Sequence, residues 1–376
     1  MTRRDLRGLE GLDALLGHPF SAPAEAVDPA TLRSRLRDEL GVPPAPAAIR
    51  VVEDGSWTRD GVDGVALRWS AGFGADVEGW LLRPAGERRA LPGILALHCH
   101  GGMKFHGKEK IADGPVSPRF AANDGRVAAF RGDAYDGVAV ANVFARAGYA
   151  VLAHDAFGWG GRRQRIADMP ERVRRAAERD PASGSSDESE RYDAHAGAAE
   201  DAVAKTLGVL GTSWGGIIAQ GDLVAARILA ERAAPGGVVA VGHSGGGARA
   251  GLLSALADDA VRGAGVVSMM STIDAVLDGY VHTHTWALMT PGLGRVGEWP
   301  DIVAARAPRP LFVGYATGDR LFPLEGMRAA DARIRARYRV AGAPDAYRAH
   351  WADAPHSFRA PAQHAFLDWA SELFAS

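Results

Sequence analysis

The apolar positions of the chain follow two rhythms. From residue 92 onward, short unbroken runs recur: GILALH (93–98), YAVLAH (149–154), GVVAVG (237–242), AGVVSMM (264–270), PLFVGYA (310–316) and YRAHWA (347–352). Between them lie amphipathic stretches such as GVAVANVFARAG, GDLVAARILAERAA and GGARAGLLSALADDA. Unbroken runs suit strands covered on both faces, so the pattern predicts a mostly parallel central sheet with helices on both faces. Ahead of it, IRVVEDGSW, VALRWSAG and DVEGWLLRP predict antiparallel N-terminal strands, the last two a hairpin around a Gly-rich turn. Residues 1–48 predict a helical extension, with LEGLDALL and PATLRSRLRDEL at helical spacing. PPAPAA marks the break before a main domain of residues 49–376.

Three long connections interrupt that domain, at about residues 105–135, 162–210 and 271–300. Insertions of this length predict lids or binding loops, and these emerge at the carboxyl ends of strands, where open α/β sheets bind ligands. Within the second, DPASGSSDESERYD is polar enough to predict a mobile segment.

Composition narrows the class. The chain has 376 residues, with 45 acidic and 43 basic side chains. That near balance gives no reason to expect nucleic acid or a membrane surface as partner. No apolar run is long enough to span a bilayer, and the start, MTRRDLRGLEGLDALLG, lacks the apolar region of a secretory signal. Cys99 is the only cysteine, so no intrachain disulfide forms and a cytoplasmic location is expected. The N-terminal helices are free either to cover the domain or to pair with a second copy in a homo-oligomer.

The chemistry starts from two Gly-x-Ser-x-Gly motifs, GTSWGG (211–216) and GHSGGG (242–247). A nucleophile elbow needs a strand entering, a strained turn, and a helix leaving, with small residues two before and two after the serine. Ser244 meets every condition: GVVAV enters, Gly242 and Gly246 are the small residues, and ARAGLLSALADD leaves. The approach to Ser213, EDAVAKTLGVL, is mostly helical in pattern, so GTSWGG predicts a tight loop opening a helix. The acid and base of such a site follow in that order downstream. Asp319 in VGYATGDRLFP and His356 in RAHWADAPHSF each stand just past a predicted strand. Asp353 and Asp301 are rival acids, and His350 and His364 are rival bases. His350 falls within its strand, however, and His364 within a terminal helix, PAQHAFLDWASELF. The oxyanion hole is expected from the amides of Gly245 and His100, with Gly101 the alternative to His100.

Three other chemistries compete. Cys99 lies at a strand end without an elbow, which suits packing better than nucleophilic attack. His98 with His100 and His282 with His284 form two His-x-His pairs that would suit a zinc-dependent hydrolase, but no carboxylate ligands accompany them. GGGARA (245–250) matches a dinucleotide fingerprint without the acid expected after the next strand. No metal and no cofactor is expected.

Taken in order, LALHCHGGMKFHGKEK, AHDAFGWGGRR, LGTSWGGIIAQGDLVAARIL, VGHSGGG, GDRLFP and PHSF resemble the α/β-hydrolase superfamily. The nearest resemblance is to its dienelactone hydrolase-like and acetyl xylan esterase-related branch, from about residue 50 to the end. HGKEK and DAFGWGGR point to the branch. The resemblance implies the α/β-hydrolase fold and a serine carboxylesterase with Ser244, Asp319 and His356 as catalytic triad. Two departures fall at the expected oxyanion hole: Cys99 stands where many relatives have glycine, and Gly245 where many have a larger residue. Dienelactone hydrolases carry cysteine at the elbow, so their activity does not carry over to Ser244. The expectation is cleavage of a small-molecule carboxylic ester through an acyl-enzyme, in a pocket framed by Phe157, Trp159, Trp214, Met269, His282, His284 and Trp286. Peptidases, thioesterases, carbon–carbon hydrolases and acyltransferases use the same triad.

Overall fold

A computed structural model of the chain describes residues 8–9, 11–17, 28–115 and 125–375. Among them, nine strands form one sheet: β1 (Val51–Arg59), β2 (Val62–Trp69), β3 (Val77–Pro84), β4 (Gly93–Leu97), β5 (Ala150–His154), β6 (Val238–His243), β7 (Val261–Val267), β8 (Leu311–Ala316) and β9 (Tyr347–Ala352). Their spatial order is β1-β2-β3-β5-β4-β6-β7-β8-β9. β1, β2, β3 and β5 pair antiparallel, and every pair from β5 through β9 is parallel.

The unbroken apolar runs are explained by burial on two faces. Leu95 and Leu97 of β4 and Val238 and Ala240 of β6 join one core with the helices Pro29–Leu40, Trp214–Ala230, Gly245–Leu256 and Leu324–Val340. Ile94, Ala96, Val239 and Val241 join another, with Tyr135, Phe144 and the terminal helix Ala360–Ala375. Alternate residues of a strand point to opposite faces, so both sets must be apolar once both faces are covered. β1, at the sheet edge, has mostly exposed or half-buried positions and reads as polar.

The predicted N-terminal helix spans Pro29–Leu40. Asp28 caps it by accepting from the Thr31 N–H at 2.8 Å, and Gly41 ends it in a left-handed conformation. Leu32, Leu36 and Leu40, one per turn, are buried in the first core.

The segment predicted to be mobile instead forms defined structure. Asp180 caps a 3-10 turn at Pro181–Gly184, and Asp187 accepts from the Ser189 and Glu190 N–H groups to open a 22-residue helix, Glu188–Val209. Asp and Ser are abundant in turns and loops because they bond nearby backbone, and the same property makes them helix caps. The first insertion contributes a buried 3-10 turn, Lys108–Lys110, and a helix, Gly125–Tyr135, while its residues 116–124 lie outside the described set. The third is a succession of short turns from Ile273–Val276 to Trp299–Val303.

Candidate active site

β6 delivers Ser244 at its carboxyl end, and the helix Gly245–Leu256 leaves from it. Ser244 has φ 56° and ψ −122°, a region that costs a non-glycine residue about 1–3 kcal/mol. The strand and helix backbones cross so closely that glycine is required on both sides. A Cβ on Gly242 would lie 2.3 Å from the Gly246 carbonyl, and one on Gly246 would lie 2.1 Å from the Leu97 oxygen. The Ser244 N–H donates to Val267 at 2.8 Å, while its hydroxyl makes no capping bond.

Ser213 has the opposite character. It sits at unstrained φ −134°, is buried, donates its hydroxyl proton to the Leu40 carbonyl at 2.8 Å, and accepts from the Gly216 N–H at 2.9 Å. Gly216 is required there because the end of the Pro29–Leu40 helix presses on it: a Cβ would lie 2.1 Å from the Leu40 oxygen. This second motif is a docking seam with a capping serine.

Asp319 and His356 arrive on the loops after β8 and β9. His356 Nδ1 lies 2.6 Å from Asp319 Oδ2, with the aspartate side chain fully buried and the imidazole 20% exposed. The other carboxylate oxygen accepts from the Leu321 N–H at 2.8 Å. The two loops are laced together by Thr317 N–H to Ala352 and Gly318 N–H to Ala354. On the other side, Ser268 Oγ donates to Ser357 at 2.8 Å, tying the histidine loop to the end of β7 beside the elbow. The His243 ring, next in sequence to Ser244, packs 4.6 Å from that of His356. The rival residues stand elsewhere: Asp301 pairs with Arg333, Asp353 and His364 are exposed, and His350 stacks on Phe312 within β9.

His100 and Gly245 come together. An ideal Cβ on Gly245 would lie 3.0 Å from the His100 nitrogen. Neither amide has an acceptor among the described residues; the first N–H of a helix has no intrahelical partner. Beside them is a small cavity of about 30 Å³, lined largely by Trp159, Ile218, Ala248, Leu252 and Leu288. Trp214 meets Trp159 edge-on and Phe157 at a tilt, with ring centroids 6.1 and 6.0 Å apart. Met269 is buried beneath Gly247. His284 packs on Phe322, which in turn stacks near His356, and donates to the Leu321 carbonyl at 3.1 Å. Burial pushes its pKa down to about 4, so the ring is neutral. Trp286 lines a neighbouring apolar groove that shares Leu288 with the cavity, and His282 is exposed.

The two His-x-His pairs do not assemble into a ligand set. The Ala156 N–H donates to His98 Nε2 at 3.1 Å, and His98 Nδ1 donates to the Cys99 carbonyl at 3.0 Å, so both ring nitrogens are taken. Among the described residues no three His, Cys, Asp or Glu side chains are grouped to hold a metal ion. The Cys99 thiol is buried, and burial raises its pKa, so it is protonated.

Polar residues that sequence reasoning passed over organise the site's rim. Glu200, on the Glu188–Val209 helix, pairs with Lys104 of the first insertion and accepts from Thr285 Oγ1 and the Trp286 N–H of the third. Burial opposes its ionisation, but His100, Lys104 and Thr285 together hold its carboxyl well below the usual range. One side chain thus joins all three long connections. Asp193, two turns earlier, accepts from the Lys104 and Phe105 N–H groups at 2.7 and 2.8 Å. The spacing of seven between Asp193 and Glu200 places both on one helix face, but that signal needs the helix to be recognised first.

No protein-family model matches the chain. A Bacillus subtilis protein named as a hydrolase, YtaP, is 24% identical over 277 residues, spanning 72% of this chain and 74% of that one. A Bacteroides fragilis protein named as an acetyl xylan esterase superposes with a TM-score of 0.63 at 17% identity, covering 86% of this chain and 74% of that one. A glucuronoyl esterase from Solibacter usitatus superposes with a TM-score of 0.60 at 14% identity, covering 92% of each chain. With its mixed nine-stranded sheet and the helices on both faces, the chain has the α/β-hydrolase fold of these esterases.

Proposed function

We propose that the chain is a serine hydrolase that cleaves a small carboxylic ester through an acyl-enzyme. The observation that carries this reading is the strained Ser244 at the strand–helix junction, with the Asp319–His356 pair standing on the loops of the neighbouring strands β8 and β9. A serine hydroxyl is a weak nucleophile until a neutral imidazole takes its proton. Asp319 accepts from His356 Nδ1, which leaves Nε2 as the base and stabilises the imidazolium that forms. Ser244 Oγ attacks the ester carbonyl, the His100 and Gly245 amides receive the oxyanion, and His356 returns the proton to the leaving alcohol. His356 then activates water, which releases the acid and restores Ser244.

The apolar cavity beside Gly245 accommodates a short acyl group such as acetyl, and the names of the structural neighbours, acetyl xylan and glucuronoyl esterases, agree with an ester substrate. Labelling with a fluorophosphonate followed by peptide mapping tests the nucleophile. Modification of Ser244, together with a loss of at least about 10³-fold in p-nitrophenyl acetate turnover in a folded Ser244→Ala variant, is the expected result. Turnover near the wild-type level in that variant excludes the mechanism.

A further inference from the structure

Three of the chain's four lysines, Lys104, Lys108 and Lys110, lie within HGGMKFHGKEK, although the chain carries 39 arginines. Lys110 is fully buried. Its Nζ donates to three carbonyls of one loop, those of Cys99 at 2.7 Å, His100 at 2.9 Å and Met103 at 3.0 Å. The Cys99 carbonyl belongs to the same peptide group as the His100 N–H. In a planar trans peptide the carbonyl and the N–H point in opposite directions, so holding the oxygen on the lysine side aims the hydrogen away from it. Gly245 stands beside the His100 nitrogen: its ideal Cβ would lie 3.0 Å from it. An ammonium on the carbonyl also polarises the peptide and makes its N–H a stronger donor. Arg249, on the helix that leaves Ser244, holds the preceding carbonyl, donating to His98 at 3.1 Å.

We infer that Lys110 is a positioning residue of the oxyanion hole: its ammonium clamps the Cys99, His100 and Met103 carbonyls so that the His100 N–H is aimed at the oxyanion and strengthened as a donor. The inference rests on Ser244 as the nucleophile. It explains why lysine stands here in an arginine-rich chain. Three acceptors converge on one point, which a compact ammonium with three N–H groups satisfies and a planar guanidinium fork does not.

The clamp has a pH limit. Burial pushes Lys110 down to about 8, against the electrostatic pull of the Asp193, Glu109 and Asp155 carboxylates. The other groups packed around it hold their states. Burial raises the Cys99 and Tyr135 pKa values and keeps His98 and His100 neutral, while the Arg131 guanidinium is engaged by the Glu109, Lys110 and Ala112 carbonyls and by Asp113. A neutral amine has two N–H groups for three carbonyls, so above about pH 8 one carbonyl is released and the polarisation is lost.

The test compares wild type, Lys110→Met and Ser244→Ala with p-nitrophenyl acetate from about pH 6.5 to 9.5, with circular dichroism at each pH. Loss of an oxyanion donor costs about 10²–10³-fold in kcat, so loss of its clamp is expected to lower kcat by about 10–100-fold, with KM within about threefold. Wild-type kcat should fall above about pH 8 with the dichroism unchanged, and that fall should be absent in Lys110→Met. A folded Lys110→Met enzyme with wild-type kcat, beside an inactive Ser244→Ala, overturns the lysine inference alone. An active Ser244→Ala overturns the nucleophile, and the lysine role with it. Should Lys110→Met fail to fold, Lys110→Gln, which keeps an amide NH2 but no charge among the three carbonyls, takes its place, and a folded Lys110→Gln enzyme with wild-type kcat overturns the clamp.

Discussion

Ser213 and Ser244 share a five-residue motif and differ in what their hydroxyls do. Ser213 spends its hydroxyl on the Leu40 carbonyl and the Gly216 amide, while Ser244 leaves its own uncommitted on a strained backbone. Ser213→Ala should therefore keep esterase turnover within about threefold of wild type while losing about 1–2 kcal/mol of stability, the range for a lost helix cap. Thermal melts and the p-nitrophenyl acetate assay read the two effects separately, and inactivation of a folded Ser213→Ala enzyme contradicts the assignment. The glycines around Ser244 also divide. A methyl on Gly246 meets the Leu97 carbonyl at 2.1 Å, whereas one on Gly245 meets only the His100 nitrogen at 3.0 Å. Gly246→Ala should fail to fold or lose more than about 3 kcal/mol, the upper range for overpacking. Gly245→Ala should fold and lose turnover, because a few tenths of an ångström are taken from the oxyanion hole; equal stability in the two variants contradicts this. That Ser244 rather than Ser213 stands between a strand and a helix was legible in the flanking residues, whereas the Leu97, His100 and Leu40 groups that set these contrasts come from distant parts of the chain.

At the scale of elements, the polar stretch before residue 188 shows where pattern reading fails. DPASGSSDESERYD lacks apolar residues at helical spacing, yet Asp187 caps a helix whose later residues Tyr192, Ala196 and Ala199 are buried. The cap and the buried stripe were both in the sequence, but the stripe is covered by Met169 and Val173 and by Phe105 of the first insertion, contacts no local pattern encodes. Glu200 joins the same insertion through Lys104. Glu200→Gln leaves Lys104 buried beneath Trp159 and Trp214 without its counter-charge, so it should cost about 2–4 kcal/mol, as for breaking a mostly buried pair. Since Glu200 also orders Thr285, which lines the cavity mouth, KM for the ester should rise more than kcat falls. Unchanged stability and KM would show that the three insertions are held together by other means.

For the molecule as a whole, titration of buried imidazoles sets the acid limit. Burial pushes the pKa values of His98, His100, His154, His243 and His284 below the ordinary 6.5, that of His284 to about 4. Between the two values the unfolded chain binds protons that the native chain refuses, so stability rises with pH there and is lost as pH falls from about 6.5 toward 4. The depressed carboxyls of Glu200 and Asp222 add a loss of the same sign below their ordinary range. The melting temperature should therefore drop between about pH 7 and 4.5. A melting temperature that holds or rises over that interval contradicts it.

The two-sided apolar runs determined by themselves that the chain forms a covered, mostly parallel sheet, since only a strand buried on both faces tolerates apolar residues at every position. The order of Ser244, Asp319 and His356 likewise placed the candidate nucleophile, acid and base at the ends of β6, β8 and β9 on one side of the sheet, because chain order and strand order coincide from β6 to β9. Tertiary structure alone decided the rest: that Ser213 docks the Pro29–Leu40 helix, that Glu200 knits three insertions, and that Lys110 reaches the carbonyls of the oxyanion loop. Each depends on groups far apart in the chain meeting where water is excluded. In that setting an unpaired charge or carbonyl is costly enough to dictate its partner, and nothing in the local sequence records which partner will be there.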